Sequence, residues 1–320
     1  MNKFQTVTLH FLRGIVLTAA TFAWHADAVG QTTGTPAAAV REVLSVPDGR
    51  LDYARAKLAF DRTIDPSLNV EATLAEVERL ARSATAIAGP NATPERKLSA
   101  LRQVIYQSGV WNGNRPFSYD HADPLGQNVR NKLLSTYLAT RRGNCVSMPV
   151  LMLLVGERMG LNLSLSTAPL HVFIRYTDPS GREINLEATS GGHPARTIWY
   201  RQNLPMTDRA IDSGLYMRTL TRREAVAHMA STVVDFLIGA RRFQEAAAVA
   251  EVILQHYPRD GYTLVKLGTA CAELLRLEYL ERFPTPGLIP PPLRQRYMML
   301  AERNRFTFQT AEALGWEPPR

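Results

Sequence analysis

Three residues have the types and settings for covalent chemistry: Cys145, His171 and Glu187. Cys145 closes a polar turn, Arg141-Arg-Gly-Asn-Cys145, ahead of a run that is almost wholly apolar from Val146 to Val155. Such a run has no wet face, so it predicts a buried central helix. Asn144 suits its N-cap, Pro149 falls early enough to be tolerated, and Gly160 supplies the stop. A lone cysteine is by default a small buried hydrophobe. At the mouth of a helix, however, a thiol meets the positive end of the dipole and unpaired N–H groups, which favour the thiolate. That is the setting of a nucleophile.

The partners follow in a predicted hairpin. Leu170–Tyr176 and Arg182–Glu187 both alternate and are rich in strand formers, and Asp178-Pro-Ser-Gly181 between them is a turn signal. Centring the turn on Pro179–Ser180 sets Glu187 opposite or nearly opposite His171 on one face, with a register tolerance of a residue or two. Val172, Ile174, Ile184 and Leu186 then fill the other face. A thiol, an imidazole and a carboxylate in this order suit a triad of nucleophile, proton shuttle and tautomer-fixing acid. Asn185 shares the face of Glu187 and is the rival orienter. An amide from Gln127, Asn128 or Asn131 is a candidate to complete an oxyanion hole with the Cys145 backbone N–H, although helix capping is the better explanation of any one of them. Asn144 and His193 complete the set of candidate binding residues, His193 as a wall of the site beyond two glycines.

The segments GNCVSMPVLMLLVGERMGL, HVFIRY and INLEATSGG resemble the transglutaminase-like superfamily, relatives of papain-type cysteine peptidases. LDYARAKLAFDRTIDPSLNVEATLAEVERLA, the Asp123-Pro124 pair, YLATRRGN and a tetratricopeptide-like tail make the pattern similar to its SirB-like branch. The resemblance implies an α+β fold in which a buried helix packs on an antiparallel sheet, with a helical tail. It also implies a cysteine-dependent hydrolase or acyl transferase. Two departures stand out. Many SirB-like proteins lack the cysteine that this chain keeps, and the third position is usually Asp where this chain has Glu187.

The elements that must position these residues divide as follows. Residues 1–28 read as a signal peptide: Lys3 and Arg13 precede a short apolar run, and Ala26-Asp-Ala28 suits cleavage after Ala28. The run is shorter than the roughly 20 apolar residues that span a bilayer, so no membrane span is expected after cleavage. Residues 29–45 read as a flexible lead-in, 46–215 as the transglutaminase-like domain and 216–320 as a helical tetratricopeptide-like domain. Within the second, helical periodicity covers Pro47 to Ala88, broken at Asp65-Pro66, and Thr93 caps a helix over Pro94–Tyr106. Trp111 to Asn131 is a polar, aromatic loop of the kind that faces substrates. In the last, Arg222–Ile238, Phe243–Tyr257 and Thr263–Leu277 read as consecutive helices. They hold about one and a half repeats, short of the three that stand alone, so the tail should dock on the preceding lobe.

Composition narrows the function classes. A hydrophobic content of 45%, 21% charged residues and a net charge of +8 are ordinary for a globular protein. The arginines are scattered and no nucleic-acid motif is present, which argues against a nucleic-acid partner. His121, His171, His193, His228 and His256 lack metal-ligand spacing, so neither metal nor cofactor is expected. The second cysteine, Cys271, sits in a helical pattern as a core thiol. Two readings follow: an exported thiol enzyme acting on a peptide or protein, periplasmic or secreted, or an inert exported binding module that keeps the fold and uses its helices to hold a peptide.

Overall fold

A computed structural model describes residues 34–124 and 126–318; the expected signal peptide, residues 1–28, lies outside them. Among the described residues no helix is long and apolar enough to cross a membrane. The chain opens with α1 (Pro36–Leu44), α2 (Tyr53–Ile64), α3 (Val70–Ala88) and α4 (Pro94–Tyr106). Each starts at a side-chain cap: Thr35, Asp52, Asn69 and Thr93 accept a backbone N–H three residues on. Helix α1 corrects the reading of residues 29–45 as a flexible lead-in. Val40 and Leu44 are fully buried, and α1 packs on α2 and on the much later α11 (Phe243–His256). An Ala-rich segment looks featureless locally; its long-range burial makes it a helix.

The organising element is α6 (Ser147–Arg158), in which every residue from Ser147 to Gly156 is buried. It packs against α3, α4 and α5 (Leu134–Thr140) on one side and the sheet on the other. That sheet is antiparallel, in the order β3 (Leu163–Ala168), β4 (His171–Thr177), β5 (Glu183–Glu187) and β6 (His193–Ala195). Val172, Ile174 and Leu186 enter the core with α6, and Ile184 packs against it. Gly156 permits the close approach, since a Cβ there would lie 2.3 Å from Leu163 Cδ1. Phe173 points the other way and stacks on Tyr200 of α7 (Thr197–Asn203), ring centroids 4.4 Å apart.

After a short α8 (Asp208–Asp212), the C-terminal region is helical: α9 (Arg222–Met229), α10 (Ser231–Gly239), α11, α12 (Gly261–Leu275) and α13 (Pro291–Ala313). The expected helix Arg222–Ile238 is two, meeting at Ala230. Val226, Val233 and Val249 share one continuous core with Leu58 and Leu151. From Gly34 onward the chain is therefore one compact unit, and residue 215 falls inside it, between helices α8 and α9. Ion pairs tie the seam: Arg222 to Glu157 at 2.6 Å and Lys132 to Asp235 at 2.7 Å.

Candidate active site

Cys145 is set in place from three directions. Behind it, Asn144 Oδ1 accepts the N–H groups of Val146 at 3.0 Å and Ser147 at 3.2 Å, a turn that leads into α6. Before it, β2 (Arg142–Gly143) runs parallel to β1 (Ser118–Tyr119), and Asp120 N–H bonds to the Gly143 carbonyl at 2.7 Å. This ladder holds the polar loop beside the cysteine. Gly143 is required by a close approach: a Cβ would lie 2.5 Å from the Tyr137 ring and 2.7 Å from Ser147 Oγ. In front of it, the tight Pro169-Leu170 turn brings the Leu170 carbonyl to 3.6 Å from Cys145 Sγ, which donates to it.

His171 opens β4 directly after that turn. Its Nε2 lies 2.8 Å from Glu187 Oε2, with side chains 12% and 3% exposed. Because Glu187 holds Nε2, the nitrogen left for the thiol is Nδ1. The pairing Ile174↔Leu186 carries on to set Glu187 level with Phe173, so Glu187 meets His171 diagonally, within the register tolerance read from sequence. Diagonal neighbours across a ladder share a face but lie about 7–8 Å apart at the backbone, a gap that long side chains close.

Glu187 is fully engaged. Its Oε1 accepts Thr189 N–H at 3.0 Å and Thr189 Oγ1 at 2.5 Å, and its Oε2 accepts Tyr200 Oη at 2.9 Å besides His171. Burial opposes its charge, but the hydrogen bond and charge of His171 and the bonds from Thr189 outweigh it and hold the carboxyl low. Burial likewise works against a charged His171. Hydrogen bonds with Cys145 and Glu187, and the charges of both, outweigh it and push the imidazole up to about 9. The arrangement therefore favours an imidazolium at neutral pH between two acids, one of them a thiol. Tyr119 lies in the same field: burial first, then the charges of Cys145 and the neighbouring carboxylates, push it up.

The other residues expected from sequence have different engagements. Asn185 Oδ1 accepts from Arg175 Nη1 at 2.5 Å, and its amide donates to the Ala195 carbonyl and Thr197 Oγ1. It joins β4, β5 and α7 and does not orient His171. Asn131 donates to Asp120 and Asp123, and Asn128 caps the turn at Arg130, so both organise the loop. Asn144 shapes the nucleophile's turn, while its Nδ2, buried near Gly126, has no hydrogen-bond partner among the described residues. His193 pairs with Glu187 through the backbone, but its ring contacts Arg102. Cys145 and Cys271 are both free thiols; Cys271 is fully buried, and burial pushes it up to about 11.

Two contributors escaped the sequence reading. For Tyr200, no local pattern announces that its hydroxyl ends on Glu187. Tyr262 of α12 comes from the tail. Burial, then the charge and hydrogen bond of Asp235, and then the charges of Asp260 and Cys145 push it up. Its hydroxyl donates to Asp235, which also binds Lys132 and Lys266.

The chain is similar to UPF0162 protein BU173 of Buchnera aphidicola subsp. Acyrthosiphon pisum (strain APS), 22% identical over 70% of this chain and 81% of the relative. It is also similar to UPF0162 proteins of Xylella fastidiosa. One, from strain Temecula1, is 24% identical over 59% of this chain and 69% of its own length. The other, from strain 9a5c, is 23% identical over 56% and 62%. No solved structure matches the chain. The model of the transglutaminase-like superfamily core matches residues 71–230, half of the chain, and that span holds Cys145, His171, Glu187 and Tyr200. By that match, the protein belongs to the transglutaminase-like superfamily.

Proposed function

We propose that the chain is a thiol-dependent enzyme that cleaves or transfers the acyl group of an amide bond in a peptide or protein. The carrying observation is the hydrogen-bonded line from Glu187 Oε2 to His171 Nε2, with Cys145 within reach of the other face of the imidazole. In this reading His171 takes the Cys145 proton through Nδ1. The thiolate attacks the amide carbonyl, and the S–C bond forms as the carbonyl π electrons move onto oxygen. Collapse of that intermediate expels the amine, which takes its proton from the His171 imidazolium. Neutral His171 then deprotonates water or an acceptor amine, which attacks the thioester and releases Cys145. Glu187 keeps the proton of His171 on Nε2 and offsets the charge of the imidazolium.

Tight fixation of the acid supports an enzyme over an inert binding module, since a vestigial triad has no need of a carboxylate bound by four donor groups. The leader-like residues 1–28 support an exported enzyme acting on envelope or extracellular peptides. The test is alkylation by iodoacetamide across pH with site mapping. Cys145 should react faster than Cys271 and faster than a free thiol below pH 8, and Cys145→Ala should abolish that fraction. A Cys145 no more reactive than a free thiol leaves the inert binding module.

A further inference from the structure

We infer that Asp235 is a positioning residue for Cys145: by holding Lys132, it keeps Gly126 packed on the Asn144 amide and so fixes the turn that carries the thiol. The inference rests on Cys145 as nucleophile and gives the helical C-terminal region a part in that same site. The first link is Asn144, which is 1% exposed. Its Oδ1 accepts the N–H groups of Val146 and Ser147, and its own N–H donates to Ser147 Oγ at 3.1 Å. The amide end of the same side chain lies against Gly126. A Cβ there would sit 3.1 Å from Asn144 Nδ2 and 3.6 Å from Lys132 Cε. Gly126 also holds φ at +60°, so the position calls for glycine on two counts. The turn before α6, Gly126 and the Lys132 stem thus form one packed row.

The loop between Gly126 and Lys132 is tied to itself. Asp123 accepts the N–H groups of Gln127 at 2.8 Å and Asn128 at 3.1 Å, and Asn131 Nδ2 at 2.9 Å. At its exit the Lys132 carbonyl accepts Lys57 Nζ at 3.0 Å, and Asp61, the partner of Lys57, accepts Leu134 N–H at 2.8 Å. Helix α2 therefore fixes the loop's backbone, and the Lys132 side chain is left to the tail. Its Nζ lies 2.7 Å from Asp235 of α10, which also takes Lys266 at 2.9 Å and the Tyr262 hydroxyl at 2.7 Å, both from α12. Lys132 and Asp235 are largely buried, so separating them leaves charges unpaired out of water. That cost is what holds the lysine stem on Gly126. A second seam pair, Arg222 with Glu157, joins the same tail to the opposite end of α6 and supplies a control.

The test follows iodoacetamide alkylation of Cys145 against pH in the folded fraction of the full chain. Asp235→Asn and Lys132→Met should each slow it by about three- to tenfold. Both should also move its half-maximal rate to higher pH, because a loosened turn holds the thiolate less well at the mouth of α6. The double variant should be no slower than the slower single one, since both act through one contact. A purely through-space effect predicts opposite shifts instead: loss of the Asp235 anion eases thiolate formation, and loss of the Lys132 cation hinders it. Arg222→Gln should weaken the seam yet leave the rate within about twofold of wild type, as distant sites act independently. Should Asp235→Asn fail to fold, Lys132→Met and Gly126→Ala carry the test, the second because its methyl group displaces the Asn144 amide. Unchanged rates in Lys132→Met, opposite shifts in the two single variants, or equal slowing in Arg222→Gln overturn the positioning role alone. A wild-type Cys145 no more reactive than a free thiol overturns the thiol reading and this inference with it.

Discussion

Glu187 reaches His171 along a diagonal of the hairpin, and its length is what closes the gap. The superfamily resemblance sets Asp as the usual third member, yet an Asp here stops one methylene short of Nε2. Glu187→Asp should therefore behave like a deletion of the acid, cutting thiol reactivity or turnover by about 10²–10⁴-fold, as should Glu187→Gln. Full activity in Glu187→Asp would show that the diagonal contact is not what orients the imidazole. Asn185→Ala serves as the contrast. It strips buried Arg175 of a partner, so it should cost about 1–3 kcal/mol of stability while leaving chemistry in the folded fraction nearly intact. Tyr200→Phe removes one donor from the oxygen that His171 uses. The carboxylate then bonds the imidazolium more strongly, and the alkaline limb of the thiol's pH profile should move to higher pH; a shift to lower pH would refute that role for the hydroxyl.

The elements differ in how plainly the sequence announces them. Helix α6 was legible because an apolar run without a polar face permits one environment. The hairpin was legible because Asp178 binds the N–H groups of Ser180 and Arg182 while Gly181 takes positive φ, a turn written in its residue types. Helix α1 was not, since its burial depends on α11 roughly two hundred residues away, and neither was the break at Ala230, which carries no proline or glycine. The two-residue ladder β1–β2 is too short to leave a period, yet it seats the loop on the nucleophile. Its fit is testable at Gly143. Gly143→Ala drives a methyl group into the fully buried Tyr137 ring, which has no room to yield. It should destabilise by about 1–3 kcal/mol in chemical denaturation and slow Cys145 alkylation in the folded fraction. Gly156→Ala, which meets Leu163 at the far end of α6, is the control. It should destabilise without slowing the thiol, and equal effects of both changes on reactivity would mean that the close fit at Gly143 has no special bearing on the site.

Across the whole molecule, the charged groups placed at the seams set the pH range in which the fold is stable. His171 is pushed up from an ordinary 6.5 to about 9, and His228 is raised as well. For His228, burial acts against the charge, but the Asp260 carboxylate 2.9 Å away prevails. A histidine raised on folding binds its proton more tightly in the native state, so its contribution is complete below about 6.5 and fades as pH rises through the folded value. Asp235 and Glu187 are lowered: burial opposes their charge, and Lys132 with Lys266, or His171 with Thr189, outweighs it. Their contribution is complete above the ordinary carboxylate range and fades as pH falls through the lowered value. Asp235 joins the loop side of the site to the tail, because Lys132 comes from the turn before α5 and Lys266 from α12. The melting temperature should therefore be highest near pH 5–6.5 and decline towards pH 9.5, at roughly 2–4 °C for each kcal/mol lost. Cys145 and Glu187 both raise His171; removing the Glu187 anion should flatten part of this decline, so Glu187→Gln should lose less between pH 6.5 and 9.5 than wild type. Differential scanning calorimetry at matched ionic strength measures both. A wild-type melting temperature that rises over that interval would reverse the sign of the argument, and an identical decline in Glu187→Gln would remove the Glu187–His171 pair as its source.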